Sequence, residues 1–355
     1  MKPVLFITGH VPAYRVESLQ RLHEHEGIEV ALFGGRSLHG GPAQPLELPF
    51  PNVSVAPREL WALAASGRHR AVVCSTAGRV APLAGWGGAR RAGLPVILWA
   101  SLWAHPRTPA HALGYLPLRR LYASADAVVT YGPHVSAYVR ARGARNVHIA
   151  PQAVDNDFWR AAPSDREPPA DWPADAATRF LFVGRDSPEK GVAVLADAWR
   201  RATAGRGDIA LVLAGGAAVD APRTVSLGIV DPLQLRDVYA ACEALVIPSI
   251  ATRTFREPWG LVVNEAMNRG LAVIASDAVG AAAGGLVRDG ENGLVVPAGD
   301  SEALAGAIEG LSDDPKLRER MGVRGSQDVR AYDHESWAGG FSAALATLGL
   351  ARGRW

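Results

Sequence analysis

The sequence predicts an α/β protein made of two doubly wound parallel-sheet domains with a cleft between them. Three observations lead to this expectation. The chain has 355 residues, more than one typical domain. Short, continuously apolar runs alternate with longer amphipathic or Ala-rich stretches, as strands covered by helices on both faces require. The alternation breaks once, near Trp159, and then starts again.

In the first series, VLFIT (4–8), VALF (30–33), AVVCS (71–75), VILWA (96–100), AVVTY (127–131) and VHIA (147–150) read as strands. Stretches 15–26, 79–92, 111–124 and 133–142 read as the helices between them. Residues 161–178, AAPSDREPPADWPADAAT, are rich in Pro, Ala and Asp without periodicity and read as a linker. In the second series the strands are FLFV (180–183), IALVLA (209–214), TVSLGI (224–229), ALVIP (244–248), AVIAS (272–276) and GLVVP (293–297). Helices are expected at 190–203, 232–241, 261–269, 301–311 and 315–329, with a last one at 334–350. The expected organisation is a first domain at 1–160, a linker at 161–179, a second domain at 180–331 and a terminal segment at 332–355. Ligands of such sheets bind beyond the carboxyl ends of the strands, so the cleft is the expected site.

Composition narrows the function classes. The chain is 48% hydrophobic, enough for a substantial core. Cys74 and Cys242 lie far apart in apolar contexts and read as reduced core residues of a cytoplasmic protein. MKPVLFITGH reads as a first strand rather than a signal peptide, and no run of about 20 apolar residues is present. Net charge is +2, but residues 1–155 carry 16 Lys+Arg against 8 Asp+Glu, and residues 156–355 carry 21 against 27. The basic half suits an anionic partner (lipid headgroup, phosphorylated acceptor or nucleic acid) and equally an ordinary solvated surface. Its cations are dispersed rather than interleaved with aromatics, which argues against nucleic acid.

Two stretches carry chemistry. GRDSPEKG (184–191) follows a strand and precedes a helix, so Arg185 and Lys190 bracket a loop at a helix start, a place suited to an anion. The chain has 34 Arg and only 3 Lys, so a lysine here suggests that a compact ammonium is wanted. The loop lacks the Gly-Lys-Ser/Thr of a Walker motif, and no GxGxxG occurs in the chain. In EPWGLVVNEAMNRG (257–270), Glu257 lies in a turn and Glu265 in the first turns of a helix. Between them Trp259, Gly260 and Leu261 offer backbone N–H groups without intrahelical partners. A carboxylate, free N–H groups and a second carboxylate match a sugar, a diphosphate and a ribose diol in that order. The plainer alternative is that both acids merely favour the helix dipole.

With these pieces in place the chain resembles the retaining glycosyltransferases of family 4. The resemblance is carried by FVGRDSPEKG, the Gly228 loop after TVSL, ALVIPS, the pair Glu257/Glu265, AVIASDAVG and GLVRDGENGLVVPAGD, and is strongest over 180–310. It implies the GT-B fold, two Rossmann-like domains with an acceptor-side amino-terminal domain and a nucleotide-sugar-binding second domain. It implies that Arg185 and Lys190 hold the donor diphosphate, beside the N–H groups of Gly260 and Leu261, that Glu265 binds the ribose and Glu257 the donor sugar, and that Ile229 and Val230 border the base. It implies a last helix that crosses back to the first domain. The loop TGHVPAYR (8–15) has one glycine, Gly9, where many members carry two, and is the candidate phosphate or acceptor loop. A histidine after a first-domain strand usually approaches the donor sugar, and His105 is the candidate, with His10 and His111 as competitors. Trp86, Trp99 and Trp103 read as core or as an acceptor platform.

The expected activity is a hexosyl transfer from a UDP- or GDP-sugar to a hydroxyl of a glycan, lipid-linked or small-molecule acceptor, with retention. No cofactor and no metal is expected, because Arg185 and Lys190 would neutralise the leaving diphosphate. The expected place is the cytoplasm, with weak peripheral contact to an anionic inner membrane face through Arg119, Arg120, Arg140, Arg142 and Arg145. The rival expectations are a sugar-nucleotide epimerase of the same fold and a non-catalytic nucleotide-sugar-binding protein.

Overall fold

The structure is a computed structural model and describes residues 1–34, 47–76, 81–164, 166–167, 169 and 171–352. The chain divides into two compact units, Met1–Asp155 with Tyr332–Trp355, and Asn156–Ala331.

The first unit holds a seven-stranded parallel sheet. Its strands are β1 (Val4–Thr8), β2 (Ile28–Leu32), β3 (Asn52–Ser54), β4 (Ala71–Ser75), β5 (Val96–Ala100), β6 (Ala127–Thr130) and β7 (Val147–Ile149), in the spatial order β3-β2-β1-β4-β5-β6-β7. Every residue of β1, β4 and β6 is buried, which is why these strands read as unbroken apolar runs. The helices are α1 (Ala13–Glu26), α2 (Leu60–Ala64), α3 (Ala81–Arg91), α4 (Pro109–Ser124) and α5 (Pro133–Arg140). The first two residues of the helix expected at 79–92 lie outside the described residues.

Local chemistry sets the helix ends. The Thr108 side chain accepts from the His111 N–H and Pro109 opens α4. α1 stops at Gly27, whose φ of 61° is left-handed. The carboxyl-terminal helix His334–Thr347 belongs to this unit, where Trp337 and Phe341 are fully buried against Phe6 and Trp99.

The second unit holds a six-stranded parallel sheet and the remaining helices before Tyr332. It opens with α6 (Asn156–Arg160), and its strands are β8 (Thr178–Val183), β9 (Ile209–Ala214), β10 (Thr224–Ser226), β11 (Ala244–Ile247), β12 (Ala272–Ser276) and β13 (Gly293–Val296). Their order is β10-β9-β8-β11-β12-β13. The further helices are α7 (Val192–Ala202), α8 (Pro232–Ala240), α9 (Val262–Asn268), α10 (Gly280–Ala283), α11 (Ser301–Asp313) and α12 (Pro315–Asp328). Asp231, Asp300 and Asp314 each accept from backbone N–H groups at the starts of α8, α11 and α12. Both cysteines are free and buried, and burial pushes the Cys74 thiol up to about 12.

Two boundaries move from the sequence expectation. The division between units falls after Asp155 rather than Arg160, because α6 packs on α9, with Asn268 Nδ2 donating to Asn156 Oδ1 at 2.7 Å and Arg269 donating to Arg160 O at 3.0 Å. The stretch expected as a linker at 161–179 is part of the second unit. Ser164 N donates to Asp237 Oδ1 on α8 at 2.8 Å, and Arg166 pairs with Asp231 at 3.4 Å. Ser164 and Arg166 thus tie the stretch to α8 and its N-cap, and Asp175 pairs with Arg223 at 2.8 Å, while several of its other polar side chains stay exposed. Residues 165, 168 and 170 of this stretch lie outside the described residues.

Candidate active site

The residues singled out in the second unit gather at the carboxyl ends of β8 and β11. After β8 the chain turns at Gly184 and passes through one 3-10 turn, Pro188–Lys190, before α7. Gly191 sits between them with φ 70°, and a Cβ there would meet the Pro248 carbonyl oxygen at 2.1 Å. Only glycine allows this approach, which seats Lys190 against the end of β11. Ile250 N donates to Glu189 O at 2.9 Å and ties the same turn down.

Glu257 follows β11 and is 8% exposed. Lys190 Nζ lies 2.6 Å from its Oε2, and Ser249 Oγ lies 3.5 Å from the same oxygen. A parallel bridge to Val279 and a 3.1 Å bond from Gly280 N to Glu257 O hold its backbone. The ammonium neutralises a carboxylate removed from water, which an unpaired glutamate could not tolerate.

The chain then reaches α9. Gly260 has φ 91°, and Trp259 Nε1 donates to Asn264 Oδ1 at 2.8 Å, anchoring the turn to the helix it opens. Among the described residues, the backbone N–H groups of Gly260 and Leu261 find no protein acceptor. Glu265 follows on α9, where Tyr239 of α8 donates its hydroxyl to Oε2 at 2.9 Å. Burial pushes the Glu265 carboxyl up to about 7, and the Tyr239 hydrogen bond pulls the other way.

The remaining expected donor-side residues are more open. Arg185 is 59% exposed and approaches Glu189 at 3.9 Å. Ile229 is 91% exposed and Val230 partly buried, on the loop that Gly215 N fixes by donating to Gly228 O at 2.7 Å. The structure therefore joins Lys190 and Glu257 directly and places Glu265 on the adjoining helix, while Arg185 stands apart on the surface. Tyr239 and Ser249 are the partners that sequence reasoning missed. Tyr239 lies 26 residues before Glu265 on another helix, so no local spacing could have linked them.

In the first unit His105 is engaged locally. Its Nε2 lies 2.8 Å from His111 O, its Nδ1 lies 3.4 Å from the Tyr138 hydroxyl, and its ring packs edge-on to Tyr115. His111 in turn bonds Thr108 Oγ1 through Nδ1 at 2.7 Å, so these two candidates form one cluster at the start of α4. Gly9 and His10 line a separate cavity of about 310 Å³. Trp99 packs against Phe6, Tyr131, Trp337 and Phe341, Trp86 donates to Ser124 Oγ at 3.1 Å, and Trp103 stacks edge-on against His134. Among the described residues no three His, Cys, Asp or Glu side chains converge as a metal site.

Comparison with known proteins bears on the fold and on the second unit. The family described as Glycosyl transferases group 1 matches residues 177–314. The phosphatidyl-myo-inositol mannosyltransferase of Mycobacterium leprae is 36% identical over 201 residues, 55% of this chain and 52% of that protein. The alpha-maltose-1-phosphate synthase of Mycobacterium tuberculosis is 34% identical over 220 residues, 54% of each chain. Among solved structures, HepE of Anabaena in complex with UDP and glucose superimposes with a TM-score of 0.73 at 18% identity, covering 98% of this chain and 100% of that one. Sucrose-phosphate synthase of Thermosynechococcus elongatus gives 0.71 at 21%, covering 98% and 99%. The chain spans about half the length of the curated relatives it matches. It has the GT-B fold, and its residues 177–314 carry the match to the Glycosyl transferases group 1 family.

Proposed function

We propose that this protein is a glycosyltransferase that moves a hexosyl group from a nucleotide-sugar to an acceptor hydroxyl, with retention and without an obligatory metal. The observation that carries the reading is the grouping of Lys190, Glu257, the unpaired N–H groups of Gly260 and Leu261, and Glu265 at one end of the second sheet. An ammonium has three donors. One serves Glu257, and the others are available to a diphosphate oxygen. The same contact holds the Glu257 carboxylate in place for hydroxyls of the donor sugar. The N–H groups of Gly260 and Leu261 would take further diphosphate oxygens, and Arg185 would swing in from the surface to share the charge. Positive groups that meet charge as it develops on the leaving diphosphate lower the barrier without reorganisation. Glu265, oriented by Tyr239, would accept from both hydroxyls of the ribose, with Ile229 and Val230 beside the base. His105 is the remaining catalytic candidate, and its ring is already oriented by His111 and Tyr138.

A uridine donor is the first to test, since HepE is described with UDP and glucose. The acceptor classes suggested by the relatives' names are a phosphatidylinositol-type lipid and a sugar phosphate. A peripheral membrane contact would serve the former. It finds support in Leu83, Leu113 and Leu116, all exposed, beside Arg119 and Arg120 of α4. Turnover of radiolabelled UDP- and GDP-hexoses, with and without excess EDTA, tests the reading. Release of nucleoside diphosphate that persists in EDTA is expected. Loss with chelator and recovery with manganese would overturn the metal-independent part, and absence of turnover with any donor would overturn the transferase.

A further inference from the structure

We propose that the cavity at the carboxyl ends of β1 and β4, headed by the buried Arg15, binds a phosphoryl group of the acceptor. The order β3-β2-β1-β4-β5-β6-β7 reverses between β1 and β4, and open parallel sheets bind ligands at such a switch point. The 310 Å³ cavity lies there, walled by Thr8 at the end of β1, Ser75 at the end of β4 and the first turn of α1.

Arg15 is 3% exposed, yet no carboxylate among the described residues lies within 4.0 Å of its guanidinium. Its partners are neutral. Nη2 donates to Gln152 Oε1 at 2.6 Å and Nη1 to Ser18 Oγ at 3.4 Å, and the rings of Trp337, Tyr14 and Trp99 lie 5.1, 5.3 and 5.8 Å from Cζ. Among the described residues of this unit the other buried arginine, Arg70, is matched to an acid, Glu26, at 2.8 Å. A buried charge left to dipoles and ring faces is costly, and an incoming anion relieves that cost.

The walls suit an anion in two further ways. Among the described residues no acidic side chain lines the cavity. Trp99, a wall residue, has a buried indole N–H without a hydrogen-bond partner among the described residues. Arg15 from a helix and the hydroxyls of Thr8 and Ser75 from two strand ends supply donors to one cavity, and several separate donors suit the oxygens of a phosphoryl group. Tyr14 and Trp99 offer apolar faces for the rest of the ligand. That the phosphoryl group belongs to an acceptor rests on the transferase reading, but the oxyanion site does not.

The experiment is a titration of the whole chain with inorganic phosphate at constant ionic strength, read by tryptophan fluorescence because Trp99 and Trp337 flank Arg15. A saturable change is expected. Gln152→Glu places a carboxylate where the amide oxygen now meets Arg15, so it should weaken the phosphate response at least about tenfold and raise the melting temperature measured without phosphate. Arg15→Lys, which keeps the charge but loses the planar fork, should weaken it without the gain in melting temperature. Lys190→Met should leave the response in place. The proposal is overturned if wild type shows no saturable change, or if Lys190→Met abolishes the response while Gln152→Glu keeps it. Glycerol 3-phosphate and short-chain phosphatidylglycerol, competed against inorganic phosphate, separate a soluble acceptor from a lipid headgroup. If neither competes, the acceptor assignment is overturned. UDP affinity in the same samples reports on the donor site separately.

Discussion

Glu257 and Glu265 carry the same functional group in opposite circumstances. Glu257 faces an ammonium at 2.6 Å, whereas Glu265 accepts from a tyrosine hydroxyl in a desolvated position. Glu257→Gln keeps an oxygen for Lys190 but loses the charge that sugar hydroxyls would meet. Turnover should fall about 100-fold or more while calorimetric affinity for UDP changes little. Equal losses in both quantities would refute this separation of roles. Glu265 predicts a pH effect. Its pKa rises from an ordinary value of 4.5 to about 7 on folding, so the folded state holds its proton more tightly than the unfolded chain. This group's contribution to stability is therefore greatest at low pH and declines as pH rises from about 4.5 to about 7, by up to about 1.4 kcal/mol for each pH unit in that window. Glu265→Gln should melt higher than wild type at pH 8, with the difference shrinking toward pH 5. Nucleotide affinity should move the other way, rising through pH 7 in wild type as the carboxylate forms and staying flat in the variant. Both acids and Lys190 were legible in the sequence because each sits in a short recognisable motif. Their contact was not, since 67 residues separate Lys190 from Glu257 and only the paired strands β8 and β11 bring them together.

At the scale of elements, the loops that seat these side chains depend on backbone conformations open to glycine. Gly191→Ala would put a methyl group against the Pro248 carbonyl at a residue with φ 70°. The turn must shift, and it carries Lys190. Strain of this kind costs about 1–3 kcal/mol, so the variant should melt a few degrees lower and bind UDP several-fold more weakly. A variant that melts lower yet binds UDP normally would show that Lys190 does not hold the diphosphate. The long buried strands were read from sequence almost residue for residue, because burial on both faces leaves only apolar side chains. The short elements β3, α2, α6 and α10 were not read. With three to five residues each, they are too brief for a period to register, and packing on their neighbours decides them. The stretch 161–178 misled for a related reason. Pro and Asp suggest a solvated linker, but Asp237 of α8 and its N-cap Asp231 supply partners that only the folded unit provides.

For the whole molecule, the feature that sequence alone left open was the use of its charge asymmetry. Residues 1–155 carry a surplus of eight positive charges by their 16 Lys+Arg and 8 Asp+Glu. Not every arginine in the expected set is a surface charge. Arg142 lies 3.5 Å from the Tyr138 ring centre and donates to Tyr138 O, so it serves packing. Arg119, Arg120, Arg140 and Arg145 are exposed, and α4 adds what composition could not reveal, namely Leu113 at 83% and Leu116 at 68% exposure one turn apart. Exposed leucines beside arginines on one helix would suit an anionic lipid surface, with the apolar side chains in the headgroup region and the cations at the phosphates. No helix among the described residues is long and apolar enough to cross a membrane. Each cation near an anionic surface contributes about 1 kcal/mol. That part must fade with salt as the Debye length falls from about 8 Å at physiological ionic strength to about 3 Å at 1 M. Sedimentation with phosphatidylglycerol-rich vesicles should therefore pull the protein down at low salt and release most of it at 1 M. Replacing Leu113 and Leu116 by serine should weaken binding at both salt concentrations, whereas Arg119→Ser with Arg120→Ser should weaken it chiefly at low salt. Protein that stays in the supernatant with acidic vesicles at low salt would mean that the basic surface is only solvated and that the leucines of α4 serve some contact other than lipid.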